Sequence, residues 1–140
     1  MMNKLTISKS RIEEIQQHCN AEMPMEAVGL VAGNKDGEVL FVQRLVNDSS
    51  ELNSFFVNPY SQFKAFKIIK EKRLFPLALY HSHINAPAIP SPTDIHFAKM
   101  HNLIQIIISV NTAMPDRLNL KAFLIKDPEK IAEFPVGGWE

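Results

Sequence analysis

Apolar residues recur along this chain with two different periods, and the switches between them mark out the elements. Leu5 and Ile7 alternate with polar neighbours as a short strand does. Ser10-x-x-Glu13 reads as a capping box opening a helix to about residue 20, with Ile12, Ile15 and Cys19 on one face. Residues 28–32 and 38–46 are strand-like runs joined by Gly33-Asn34-Lys35-Asp36-Gly37. Glycine and asparagine tolerate the positive dihedrals of a hairpin, so Gly33 is expected in the turn. Asn58-Pro59 has the form of an N-cap and N1 pair. Beyond it Phe63, Phe66 and Ile69 return at helical spacing and predict a core-facing aromatic stripe, while Lys64, Lys67 and Lys70 fall elsewhere.

The second half continues the alternation. The apolar stretch 74–80 is strand-like and leads into His81-Ser82-His83. A Pro-rich loop follows over 85–92, then a helix from 92 to about 100, a strand at 104–110, a Pro115-Asp116 turn and a strand at 118–125. Hairpin and crossover connections both occur, which predicts a mixed α/β fold: a single curved mixed β-sheet packed between helices. No internal repeat and no Gly/Ser-rich linker divides the chain, so residues 1–140 are read as one domain. Val136-Gly137-Gly138-Trp139-Glu140 reads as a flexible tail pinned by Trp139.

Charge and composition narrow the function by exclusion. Lys plus Arg and Asp plus Glu number 15 each, so the global field carries no footprint for nucleic acid. The most hydrophobic run, 104–110, is interrupted by Gln105 and too short to span a bilayer, and the N-terminus has no long apolar region. The chain is therefore read as cytoplasmic. A lone cysteine, Cys19, forms no internal disulfide and reads as a core thiol. The lysine face near Lys64 offers an acidic partner a site, although such rows are usually solvated.

Candidate chemistry centres on His81-Ser82-His83, followed after seven residues by Ser91 and three positions later by Asp94. On a strand, side chains two apart share a face, so both imidazoles reach one metal without bending the chain. Asp94 returns to them through the loop, and two histidines with one carboxylate make a zinc site that keeps an open position. The same residues support a structural reading. Ser91 is a good N-cap, Pro92 an N1 residue and Asp94 the capping-box acid, with the histidines ordinary partly buried ones. The two readings are compatible.

A second signal lies upstream in Pro24-Met25-Glu26-Ala27-Val28-Gly29-Leu30-Val31-Ala32-Gly33. Together the two segments resemble the JAMM, or MPN-plus, metalloprotease family: a glutamate shortly before a Gly-x-Leu-x-Gly-like strand, then His-x-His, seven residues, Ser, two residues and Asp. Glu26, Gly29, Gly33, His81, His83, Ser91 and Asp94 fall on that pattern without a gap. The resemblance implies an MPN-like sheet with cytidine-deaminase-like layering, and Zn2+ held by His81, His83 and Asp94. It further implies that Glu26 is the general base and acid for a metal-bound water and that Ser91 donates to the oxyanion.

By the same resemblance the substrate is the Gly-Gly tail of a ubiquitin-like or sulfur-carrier protein, cut at a peptide or isopeptide bond. A strand edge beside the metal accepts such a tail by β-addition, and glycines pass a narrow groove that excludes bulkier residues. The compact chain is similar to the stand-alone bacterial and archaeal members. The family also contains non-catalytic scaffold or interaction domains, but those typically lack ligands that this chain keeps. A zinc nucleobase deaminase requires a Cys-x-x-Cys that a chain with one cysteine lacks. A closed structural zinc site needs a fourth ligand from His18, His96, His101 or Cys19, all of which read as surface or core residues.

Overall fold

The computed structural model describes residues 2–140. Its elements, in chain order, are β1 (Leu5–Thr6), α1 (Lys9–Glu22), β2 (Val28–Gly33), β3 (Val39–Leu45), α2 (Pro59–Glu71), β4 (Phe75–Ile84), α3 (Pro92–His101), β5 (Ile104–Val110), β6 (Leu120–Asp127), β7 (Lys130–Phe134) and β8 (Val136–Gly137). Six strands form a mixed sheet in the order β3-β2-β4-β5-β6-β7, in which only β4 and β5 run parallel. The mixed sheet between helices therefore stands, with one addition: β1 and β8 pair in parallel as a separate two-stranded ladder.

Strand β4 lies in the middle of the sheet and is buried continuously from Leu77 to His83. Its pleat sends Ala78 and Tyr80 toward Ile12, Ile15 and Cys19 of α1. Leu79 points the other way, toward Ala65 and Ile69 of α2. Helix α3 covers the far half of that second face, with Ala98 and Ile95 against Ile107 and Phe123. Gly29 is required by this packing, because a Cβ there would lie 2.3 Å from the Tyr80 ring.

Four expectations are corrected. Helix α1 is capped by Ser8, whose hydroxyl accepts from Arg11 N–H, and not by Ser10. The Ile7 N–H is still tied to Gly137 O at 2.8 Å, so the chain leaves its strand pairing only at residue 8 and turns helical at once. Gly33 ends strand β2 and is not the turn residue with positive φ, a part taken by Gly37 at 91°. Gly33 is glycine for lack of space, since a Cβ would sit 1.7 Å from Glu38 O. Phe63 is 68% exposed, because it lies about 120° around α2 from the buried Ile69. The C-terminal segment is a strand and not a loose tail: Gly137 is buried and Trp139 packs on the core cluster of α1.

Candidate metal centre

His81 and His83 project from the face of β4 opposite Tyr80, as their spacing requires. Asp94 reaches them from the first turn of α3. Asn85, at a left-handed φ of 52°, turns the chain out of β4, and Ser91 starts the helix with a complete capping box. The Ser91 N–H donates to Asp94 Oδ2 at 2.8 Å, and the Asp94 N–H donates to Ser91 Oγ at 3.3 Å. The helix cap is therefore formed as the structural reading requires, and it also aims the carboxylate at the two histidines. Buried Gln105 fastens the same turn by donating to Asp94 O at 3.0 Å.

The resulting cluster is tight. His81 Nε2 lies 3.0 Å from Asp94 Oδ1, His83 Nε2 lies 3.2 Å from Asp94 Oδ2, and the two Nε2 atoms are 3.3 Å apart. All three side chains are buried. His83 Nδ1 donates to Pro87 O at 2.9 Å, which leaves its Nε2 lone pair facing the carboxylate and the other imidazole. Converging lone pairs repel unless a proton or cation lies between them. A tetrahedral ion with bonds of about 2.0–2.1 Å has edges of about 3.3 Å, the spacing these donors already hold. The donor set therefore fits a divalent metal with protein ligands on three sides. His81 Nδ1 is buried without a partner.

Electrostatics separate the carboxyl groups. Burial pushes Asp94 upward, but the adjoining His81 and His83 imidazoles and the Ser91 N–H outweigh it and hold Asp94 well below the usual range. Burial likewise opposes charge on His83, yet Asp94 and the Pro87 carbonyl raise its pKa on balance. Glu26, just ahead of β2, is 6% exposed, and burial lifts it to about 7, with His83 opposing and Asp94 assisting. Two carboxyl groups with divergent proton affinity at one site have the form of an acid/base pair. Ser91 is half-buried, and its oxygen already accepts from Asp94 N–H.

The surrounding wall is aromatic. The Phe55 ring centroid lies 4.8 Å from that of His81, and Phe97, one turn beyond Asp94, packs on Phe55 at 5.5 Å. Behind these rings is an apolar cavity of about 380 Å3, with His96 and His101 in its lining. Neither histidine joins the cluster, and His18 lies on the other face of the sheet, bonded to Tyr80 OH at 2.6 Å. Cys19 is buried there as well, its thiol pushed up to about 12 by burial. The expected free edge beside the histidines is not on β4, which is paired on both sides. The free edge at that end belongs to β3, whose Leu45 is level with Val28 and hence with His81.

Sequence reasoning passed over Phe55 as a wall of the site, and Asn47, Ser82 and Gln105 as its supports. Only Gln105 left a signal, as the one polar interruption in the run 104–108. No helix among the described residues is long and apolar enough to cross a membrane.

Comparison with known proteins agrees with this geometry. The family model described as prokaryotic homologs of the JAB domain matches residues 8–123. A probable TtuB-protein conjugate cleaving protease of Thermus thermophilus is 31% identical over 128 residues, covering 91% of this chain and 80% of that protein. A desampylase of Pyrococcus furiosus is 27% identical, covering 80% and 75%. A CysO-cysteine peptidase of Mycobacterium tuberculosis is 25% identical, covering 94% and 89%. Among solved structures, a protein from Desulfitobacterium hafniense superposes with a TM-score of 0.83 at 31% identity, covering 97% and 94%. A JAB1/MPN domain protein from Archaeoglobus fulgidus shares the fold, with a TM-score of 0.60 at 20% identity, covering 95% and 99%.

Proposed function

The chain belongs to the family of prokaryotic JAB-domain homologues, and from that premise we propose that it is a zinc peptidase. Its substrate is the C-terminal Gly-Gly tail of a ubiquitin-like or sulfur-carrier protein, cut at the peptide or isopeptide bond that follows. The observation that carries this reading is the convergence of His81, His83 and Asp94 at 3.0–3.3 Å beside a buried carboxyl group outside the cluster. The relatives named for cleaving TtuB conjugates and for the CysO–cysteine bond supply the substrate class.

A divalent metal bound by His81, His83 and Asp94 supplies Lewis acidity for attack by water on the scissile carbonyl. The remaining work falls to the chain. Glu26, with its proton affinity near neutrality, takes a proton from the attacking water and returns it to the leaving amine. Ser91 keeps its own hydrogen free of the Asp94 N–H bond and donates it to the developing oxyanion. Phe55 and Phe97 exclude water from one side. The tail runs past the Leu45 end of β3, an edge strand of the sheet to which an extended strand can add.

Glu26→Gln tests the reading. The variant is expected to bind a full equivalent of zinc and to cleave a Gly-Gly-tailed carrier at least about 100-fold more slowly. Retained turnover overturns the role of Glu26, and a wild-type protein that binds zinc but cleaves no such tail favours the scaffold alternative.

A further inference from the structure

The peptide unit joining Glu26 to Ala27 is held by side chains and not by sheet pairing. Ladder pairing of β2 begins only at Val28, opposite Leu45 on one side and His81 on the other. Two residues earlier, the Glu26 carbonyl accepts from Asn47 Nδ2 at 2.8 Å. The N–H of the same peptide donates to Ser82 Oγ at 2.8 Å, and the Ala27 carbonyl accepts the Ser82 N–H at 3.0 Å.

The two side chains come from elements that matter to the site. Ser82 sits between His81 and His83 and is fully buried on the opposite face of β4. Asn47 follows β3 and uses all of its hydrogen-bonding capacity on main chain. Besides Glu26 O it donates to Ser54 O at 3.1 Å, and its oxygen accepts from Ser49 N–H at 2.9 Å and Phe56 N–H at 3.1 Å. It therefore ties the loop that lays Phe55 on His81 to the backbone of Glu26.

We propose that Ser82 and Asn47 clamp the Glu26–Ala27 peptide from both sides, and that this clamp sets the distance between the Glu26 carboxyl group and the His81–His83–Asp94 cluster. The inference rests on the function proposed above and deepens it. Without the clamp, a glutamate two residues ahead of the ladder swings with a fraying strand end. Because Ser82 is covalently between the two histidines, any shift of β4 carries the metal-binding rings and the Glu26 backbone together. Ser82 and Asn47 are positioning residues, and they act only through Glu26. A misplacement of about 1 Å costs about 100-fold in rate, so the device has a measurable effect.

A cycle of variants tests this. Ser82→Ala and Asn47→Ala, each with its zinc content measured, are expected to keep full metal, keep KM within about twofold and lose about 10- to 100-fold in kcat. Ser82→Thr, which retains the hydroxyl, restores kcat toward wild type. Hydrogen exchange of the Ala27 amide is expected to speed up in Ser82→Ala, a readout independent of turnover. In a Glu26→Gln background the same substitutions are expected to cost nothing further, because residues acting through one group are not additive with its loss. Equal losses in both backgrounds, or wild-type kcat in both Ala variants, overturn the clamp while leaving the peptidase reading intact. Full activity of Glu26→Gln itself overturns the role of Glu26 and the clamp with it, whereas a wild-type protein that binds zinc but cleaves no Gly-Gly tail overturns the peptidase reading instead. Asn47→Ala carries the test alone if Ser82→Ala does not fold.

Discussion

The two faces of β4 bury the same kinds of group and treat them in opposite ways. Toward α1, Tyr80 and His18 meet in one hydrogen bond of 2.6 Å, and each is kept neutral. Burial lowers the His18 pKa, with Arg44 assisting and Glu22 opposing, and burial raises that of Tyr80. Toward α3, one residue further along the strand, His81 and His83 are aimed at each other and at a carboxylate held ionised. His81 Nδ1 is left without a partner there. A buried polar pair that satisfies itself belongs to the core, whereas buried ligand atoms converging on one point are completed by a proton or a cation between them. Burial of histidine is thus no guide to its role, and the direction of its lone pair is.

Four measurements break or sharpen this contrast, beginning with the largest effect. His81→Ala is expected to abolish metal binding and to lower turnover at least about 1,000-fold. In thermal melts, zinc at about 1,000 times its Kd adds about 4 kcal/mol to the wild type and nothing to the variant. An unchanged zinc content in His81→Ala removes the contrast altogether.

Glu26 supplies the second test, through pH. Its folded pKa of about 7 lies above the 4.5 of an ordinary glutamate, so the stability it contributes is complete below about pH 4.5 and is lost as pH rises through 7. Denaturant melts of metal-free Glu26→Gln are expected to match wild type at pH 4 and to exceed it by about 3 kcal/mol at pH 8. Identical pH profiles for the two proteins contradict the burial argument. Loading with metal shrinks the difference, because a cation beside Glu26 favours its ionised form.

Ser91→Ala separates capping from chemistry. Loss of an oxyanion donor costs about 3 kcal/mol in the barrier, against about 1 kcal/mol of folding stability for a lost N-cap. A lower melting point with unaltered kcat confines Ser91 to the cap. On the quiet face, Tyr80→Phe leaves His18 without its partner and is expected to cost about 1–2 kcal/mol of stability. The kcat/KM of that variant is expected to stay at the wild-type value, and a tenfold loss there shows that the faces are coupled.

Much of this molecule was legible without coordinates, wherever the signal was local. Strand β5 falls at the predicted 104–110, and Asn58-Pro59 opens α2 as its cap chemistry requires. The histidine pair also lies on one face of a strand, because strand periodicity is a property of a few adjacent residues. The misreadings arose where a distant segment decided the outcome. Ser8 displaced Ser10 as the cap because Gly137 holds Ile7, and Phe63 faces solvent because the face of α2 that packs on β2 and β4 is that of Ala65 and Ile69. The C-terminal residues became a strand because β1 was there to pair with them.

The amino-acid order alone determined which residue types stand ready for metal and proton chemistry, and that a strand and a capped helix present them. Only the tertiary structure decided that Asp94 meets both imidazoles, that Glu26 is buried enough to hold its proton near neutrality, and that Asn47 and Ser82 grip the peptide behind it. Distances between groups dozens of residues apart, and the loss of water around them, follow from how the sheet and helices close on one another. No local pattern encodes either.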